Sequence, residues 1–335
     1  MTHFIKPPHL QKGDTIGIVS PSSAITNFPR RLQRGISSLE ALGLKVILAP
    51  NSQKASGHAA GAPQERADDI HSMFRNPEIK GIICSTGGYN ANAVLPLLDY
   101  ELIRSNPKVF CGYSDITALN VAITHKAGLV TFNGPTVLPT FGEYDGPFEF
   151  TLRNFLKAVF ENKAMGELEH SDITSDENLW WGKDDDRRRK TVPASAPVAL
   201  TAGKGEGTLL GGNLETLTIL GGTKFLPDYD DTILFLEEME GGTDSVERNL
   251  DYLEQLGVFK KVRGLIYGKP YQFSTISPKR SLETILTELG NRYGIPVIYN
   301  VDCGHTNPML TMPLGVHAIV DADNTSITIT ESATV

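Results

Sequence analysis

The sequence predicts an α/β protein: a mostly parallel sheet with helices, followed by a β-rich part. Over residues 1–135, short apolar runs alternate with amphipathic segments of helical spacing, the pattern of a parallel sheet covered on both faces. Beyond about residue 200 strand-like runs dominate, and the last ones alternate polar with apolar residues, as in a partly solvated antiparallel sheet. The stretch between them is polar and carries both tryptophans, which is typical of a connection between two domains.

Five apolar runs in the first part predict buried strands, at 15–20, 45–49, 80–86, 108–114 and 128–134. The segments between them predict helices. Leu32, Ile36, Leu39 and Leu42 recur at helical spacing before a glycine, and residues 67–74 repeat the pattern before Asn-Pro. Strands that alternate with helices in this way favour parallel pairing.

The second part begins after a segment with adjacent acidic and basic triplets. Its strand-like runs are GTLLGGNLETLTILGG, TILFLEEM, VRGLIYG, IPVIYNV and HAIVDADNTSITIT, and a helix is predicted at 245–256. We therefore predict an α/β domain at 1–150, a connecting surface segment with a tryptophan-bearing loop at 151–200, and a β-rich domain at 201–335.

Composition restricts the class of protein. With 335 residues, 40% of them hydrophobic, the chain can bury one large core or two ordinary ones. A formal net charge of −8 argues against a nucleic-acid polymer or an anionic membrane as the main partner. The amino terminus lacks a signal-peptide pattern and no apolar run reaches about 18 residues, so we expect a cytoplasmic protein. Cys84, Cys111 and Cys303 lie in or after apolar runs and are expected to be buried.

A lone serine follows the fourth predicted strand, in VFCGYSDITALN (109–120). Ser114 and Asp115 suit the N-cap of the helix that follows, because both side chains accept hydrogen bonds from free backbone amides. The other interpretation is that Ser114 is a nucleophile on a tight turn above the sheet edge. No metal-ligand or phosphate-loop motif accompanies it, so we expect neither metal nor cofactor.

A serine nucleophile needs a base and an acid that orients the base. Of the eight histidines, His305 is in the best position, because it follows a strand and begins a loop with two prolines. Glu237 and Glu238 end an apolar strand and should point to opposite faces, one inward and one toward solvent. Two glycines, 87 and 88, follow the third strand and could offer backbone amides to an oxyanion.

Together these stretches resemble the serine L,D-carboxypeptidase family, and within it the branch of microcin C self-immunity proteins. The resemblance runs through GDTIGIVSPSS, TGGYNAN, GYSDITAL, GTLLGGNL, LFLEEME and CGHTNPMLTMPLG, in the family's order. It implies Ser114 as nucleophile, Glu237 as acid and His305 as base, with oxyanion amides at Gly88 and Asp115. It further implies an amidotransferase-like first domain, a triad assembled across the interdomain cleft, no cofactor, and a homodimer.

The resemblance to that branch also implies a substrate class, a small peptidyl or aminoacyl nucleotide cleaved at an amide. Trp180 or Trp181 would stack on its base, and Asn213 is a further candidate for substrate binding. Three alternatives stay open. The chain could be an L,D-carboxypeptidase of murein tetrapeptide recycling, or a binding protein that kept the fold without turnover, and one tryptophan could simply plug the domain junction.

Overall fold

The computed structural model describes residues 4–274 and 280–335. Strands in this part of the chain are β1 (Thr15–Val19), β2 (Lys45–Leu48), β3 (Ile79–Cys84), β4 (Val109–Gly112), β5 (Thr131–Asn133), β6 (Ala164–Glu167), β7 (Ile173–Thr174), β8 (Val192–Pro193), β9 (Val198–Thr201), β10 (Lys204–Asn213), β11 (Thr232–Glu237), β12 (Val262–Gly268), β13 (Val297–Val301), β14 (Met312–Leu314), β15 (His317–Asp321) and β16 (Ser326–Ser332). Helices are α1 (Pro29–Ala41), α2 (Pro63–Arg75), α3 (Tyr100–Ser105), α4 (Thr117–Ala127), α5 (Glu149–Val159), α6 (Leu214–Thr218), α7 (Thr243–Gln255) and α8 (Leu282–Tyr293).

The first sheet has six strands in the order β14-β5-β4-β3-β1-β2. Five of them pair in parallel, and β14 pairs antiparallel with β5 at one edge. The central strand β4 is buried along its whole length, as expected of an apolar run covered on both faces. The carboxyl ends of β1, β3 and β4 therefore meet at one edge of the sheet, where ligands bind in such folds.

The second sheet has eight strands in the order β6-β16-β15-β10-β11-β12-β13-β9. Strands β10 to β13 pair in parallel, while β15, β16 and β6 on one side and β9 on the other pair antiparallel. Helix α7 matches the helix expected at 245–256. The run GTLLGGNLETLTILGG is a strand only as far as Asn213, after which α6 begins.

The predicted fold class, a parallel α/β sheet followed by a second, strand-rich unit, is confirmed. The domain limits stay a prediction. Three strands do not respect these limits. Strand β6, from the predicted connecting segment, joins the second sheet, as does β9, which spans the limit at residue 200; β14, from the predicted third unit, joins the first sheet. The three cysteines are free and buried, as expected.

The predicted surface segment at 151–200 differs from the expectation. Its start continues helix α5, and its charged triplets are not all solvated. The side chains of Asp185 and Arg189 are each only 6% exposed, because they form ion pairs with Arg31 and Glu143 of the first unit. Charge alone predicted a solvated loop, but pairing with buried partners brings these groups inside.

None of the helices within residues 4–274 and 280–335 combines the length and the apolar character that a membrane crossing requires.

Candidate active site

Ser114 lies on a strained turn directly after β4. Its φ of +65° is in the left-handed region, which costs a non-glycine residue about 1–3 kcal/mol. Helix α4 begins three residues later, and neither Ser114 nor Asp115 caps it. The carboxylate of Asp115 instead accepts hydrogen bonds from the amide of Ala91, at 2.8 Å, and from the hydroxyl of Ser22. The N-cap interpretation is therefore wrong.

Two glycines lie close to this turn. A Cβ atom on Gly87 would lie 2.9 Å from Oγ of Ser114, so a side chain there would collide with the hydroxyl. Gly88 has a φ of +151°, and a Cβ there would lie 2.4 Å from Oγ of Ser22. Within the described residues, the amides of Gly88 and Asp115 donate no hydrogen bond, so both are available to an incoming oxygen.

His305 is held by Glu237. The Nδ1 atom of His305 lies 2.6 Å from Oε2 of Glu237, and the carboxyl group is fully buried. Because an ionised carboxylate can only accept, Nδ1 is the donor and Nε2 is left with its lone pair. That Nε2 atom is buried and has no hydrogen-bond partner among the residues described. Glycines make room for the pair: a Cβ on Gly304 would lie 3.0 Å from Cβ of Glu237.

Ser114 and His305 line the same cleft, which has a volume of about 330 Å³. Its walls come from both sheets and from the tryptophan-bearing loop, and they include Gly87, Gly88, Tyr89, Tyr113, Trp181, Arg189, Asn213, Glu215, Glu238, Glu240 and Tyr271. A larger cavity, of about 1170 Å³, lies at the opposite, amino-terminal ends of β10 to β12. It shares no residue with the cleft and contains none of the predicted site residues, so size does not identify the reactive site here.

Glu238 does not meet solvent, contrary to the expectation for alternate residues of a strand end. It is 7% exposed, because the amino-terminal end of α6 covers the face on which it lies. Its Oε1 accepts from Nδ2 of Asn213 at 3.2 Å and from the amide of Met239 at 3.0 Å, and its Oε2 accepts from the amide of Glu215 at 3.2 Å. Burial, and next the charge of Glu237, raise the pKa of Glu238 to about 7.

Asn213 connects the second sheet to the nucleophile turn. Its backbone amide donates to Oγ1 of Thr117 at 3.0 Å. Its side-chain oxygen caps α6 by accepting from the backbone amide of Thr216 at 3.0 Å. Both contacts hold the Asn213 side chain at the cleft, between the turn that carries Ser114 and the carboxyl of Glu238.

The two tryptophans occupy different environments. Trp181 lines the cleft and packs edge-on against Phe28, with ring centroids 5.3 Å apart. Its ring centroid also lies 4.9 Å from the guanidinium carbon of Arg31. Trp180 is 68% exposed and is not among the residues that line the cleft. Of the pair, only Trp181 is thus placed to meet a bound molecule.

Among the cleft residues that the sequence reasoning missed are Phe28, Tyr89 and Arg189. Tyr89 follows the Gly-Gly pair and is 81% exposed at the rim. The available signal for Tyr89 was its adjacency to Gly88. For Arg189 the only signal was its place in a basic triplet, which did not distinguish it from the two arginines before it. Among the residues described, no group of three or more His, Cys, Asp or Glu side chains is arranged to hold a metal ion.

Comparison with known proteins covers nearly the whole chain. A family model described as the LD-carboxypeptidase N-terminal domain matches residues 16–134, and one described as the LD-carboxypeptidase C-terminal domain matches residues 206–320. The microcin C7 self-immunity protein MccF of Escherichia coli is 37% identical, over 98% of this chain and 97% of its own.

A solved structure of MccF in complex with aspartyl sulfamoyl adenosine superposes with a TM-score of 0.92 at 36% identity, over 99% of this chain and 100% of that one. A probable murein peptide carboxypeptidase of Bacillus subtilis is 32% identical, over 96% of this chain and 93% of its own.

Proposed function

This chain belongs to the LD-carboxypeptidase family and is a hydrolase of peptide or amide bonds, and from that premise we propose that Ser114, Glu237 and His305 form its catalytic triad. The family resemblance predicted from the sequence is confirmed. One observation carries the triad proposal: the buried Glu237 holds His305 with a free Nε2 in the cleft that Ser114 also lines.

The chemistry follows from this geometry. Nε2 of His305 accepts the proton of Ser114 as Oγ attacks the scissile carbonyl, and the buried carboxylate of Glu237 stabilises the imidazolium. The amides of Gly88 and Asp115 donate to the oxyanion of the tetrahedral intermediate. The imidazolium then gives its proton to the leaving nitrogen. Water, activated by the same imidazole, releases the acyl group from Ser114.

We propose that the substrate is a peptidyl or aminoacyl nucleotide of the microcin C type, so that the reaction gives self-immunity or detoxification. Two observations support this class. The E. coli relative is a microcin C7 self-immunity protein, and its structure has been solved with aspartyl sulfamoyl adenosine. In this chain, Trp181 lies in the cleft with one side of its indole backed by Phe28, a suitable surface for a nucleobase.

Cleavage of the L-to-D amide of murein tetrapeptides is the second candidate, favoured by the B. subtilis relative. The discriminating experiment compares hydrolysis of an aminoacyl sulfamoyl adenosine with that of a murein tetrapeptide under the same conditions. A kcat/KM at least tenfold higher for the nucleotide supports the immunity function, and the reverse order would assign the chain to murein recycling. A non-catalytic binding protein would cleave neither and would not be acylated by a fluorophosphonate probe, which reacts with an activated serine.

We further propose the domain limits 1–150, 151–200 and 201–335, a cytoplasmic location and a homodimer. The location is the expectation from the sequence pattern, and the dimer is carried over from the family resemblance. Light scattering of the purified chain tests the dimer, and a mass equal to one 36.5 kDa chain would contradict it.

A further inference from the structure

The cleft is electrically asymmetric. Three carboxyl side chains line one part of it, Glu215, Glu238 and Glu240, and in the described part of the chain Arg189 is the one lysine or arginine on its walls. Glu215 and Glu240 are exposed and therefore screened by water, whereas Glu238 is buried. Glu238 thus dominates the field on its side of the cleft.

The position of Glu238 relative to the reacting groups is fixed from two sides. It directly follows Glu237, the partner of His305, at the end of β11. It also accepts a hydrogen bond from the side chain of Asn213. The backbone amide of Asn213 in turn donates to Thr117, three residues after Ser114. Glu238 lines the same cleft as Ser114 and His305, so a substrate held with its carbonyl carbon at Oγ of Ser114 shares that cleft with the carboxyl group of Glu238.

The hydrogen bonds of Glu238 leave it one vacant acceptor site. An ionised carboxylate offers about four lone-pair sites. Oε1 uses two, for Asn213 and Met239, and Oε2 uses one, for the amide of Glu215. The remaining lone pair on Oε2 suits a donor on a bound molecule.

The groups around Glu238 determine the charge of that donor. Burial, and next the charges of Glu237 and Glu215, raise the pKa of its carboxyl. Tyr267, buried beside it, is uncharged because burial raises the pKa of its phenol well above the ordinary value. The cations that line the cleft, Arg189 and the imidazolium form of His305, are engaged by Glu143 and Glu237. A further anion at Glu238 would be repelled, whereas a cation would be attracted.

We propose that Glu238 binds the ammonium group of an aminoacyl substrate, and that within the proposed substrate class the cleft thereby prefers aminoacyl nucleotides, which have a free amine next to the scissile carbonyl, to peptidyl nucleotides, which do not. This inference rests on the proposed aminoacyl-nucleotide hydrolysis and names a specificity determinant of the same cleft. The unpartnered Nε2 of His305 in this cleft independently indicates that a ligand completes the site.

The test uses two substrates that differ only in the amine: alanyl sulfamoyl adenosine and its propionyl analogue, which lacks the ammonium group. The measured quantity is the ratio of their kcat/KM values, in which effects common to both substrates cancel. A hydrogen bond to a charged group contributes about 1.5–3 kcal/mol, so Glu238→Gln should reduce the preference for the amine by roughly tenfold to hundredfold. The change should come mainly from KM of the alanyl substrate, because the contact is present in ground and transition states alike.

The pH dependence of the ratio supplies a test that needs no variant. Glu238 attracts the ammonium group only when ionised, so in the wild type the preference should rise from about pH 5.5 to about 7.5, where the α-amine stays largely protonated. The profile of Glu238→Gln should be flat. The control is Glu206→Gln, which removes an exposed carboxylate from the far end of the same sheet and should keep both the wild-type ratio and its slope.

A wild-type ratio that does not change with pH, or equal losses on both substrates in Glu238→Gln, would overturn the inference. If the wild-type protein hydrolyses neither nucleotide, the proposed function fails instead. Glu238→Asp, which keeps the charge on a shorter side chain, should recover part of the preference, and a structural role alone predicts no such recovery.

Discussion

Replacing Trp181 by Ala should weaken nucleotide binding and, separately, lower the stability of the fold. Stacking on a base contributes about 1–3 kcal/mol, so Kd for aminoacyl sulfamoyl adenosine should rise roughly fivefold to hundredfold. The indole also packs on Phe28 and on the buried guanidinium of Arg31. An aromatic pair contributes about 0.5–1.5 kcal/mol and a desolvated cation–π contact about 2, so the free energy of unfolding should fall by roughly 2.5–3.5 kcal/mol.

The matched control is Trp180→Ala, because the indole of Trp180 is mostly in solvent and lies outside the cleft. We expect it to change neither Kd nor the melting temperature appreciably. Kd is measured calorimetrically in a Ser114→Ala background, in which the substrate is not hydrolysed. Stability is measured by denaturant unfolding. Murein tetrapeptide has no base, so any cleavage of it should be nearly unchanged by Trp181→Ala below the unfolding range. Equal losses on both substrates would refute base stacking, and a larger effect from Trp180→Ala would refute the choice of Trp181.

Three further substitutions test the catalytic proposals. Ser114→Ala should abolish turnover and leave substrate binding intact, and activity within about tenfold of the wild type would contradict the nucleophile assignment. Glu237→Gln should lower kcat by about a thousandfold or more with little change in KM, because the amide cannot stabilise an imidazolium; a kcat within about threefold would exclude that role. Asp115→Asn should lower kcat by about tenfold to hundredfold, because the carboxylate ties the turn that carries one oxyanion amide to Ser22 and Ala91. If its melting temperature falls while kcat does not, the Asp115 side chain serves stability alone.

The sequence predicted the strands and helices whose hydrophobic pattern lies within a single segment of the chain. The runs at 15–20 and 108–114 are strands β1 and β4, and the spacing of Leu32, Ile36 and Leu39 gives helix α1. Each of these segments carries its own periodicity, because the face that it buries is determined by residues two, three or four positions apart. Position at strand ends also singled out Ser114 and His305, which the structure brings to one cleft.

Burial that depends on distant partners could not be predicted in this way. Glu238 is covered by α6, an element that starts 24 residues earlier in the chain, at Leu214. Strand alternation correctly predicts that Glu237 and Glu238 point to opposite faces of β11. It cannot show that the face on which Glu238 lies is buried as well. For the same reason the pattern did not reveal that β14 crosses to the first sheet.

The loop that carries Trp181 is held in place before any substrate arrives, and this bears on how the cleft would bind a nucleotide. Asp185 forms ion pairs with Arg31 and Arg34 of α1, and Arg189 pairs with the buried Glu143. Burial, and next the charge of Arg189, lower the pKa of Arg31, whereas Glu143 and Asp185 raise it, so these two carboxylates stabilise the buried guanidinium in that position. Ordering a free loop on binding would consume part of the stacking free energy, since each immobilised side chain costs about 0.5–1.5 kcal/mol. Because the ion pairs order this loop during folding, most of the stacking free energy at Trp181 is available for affinity.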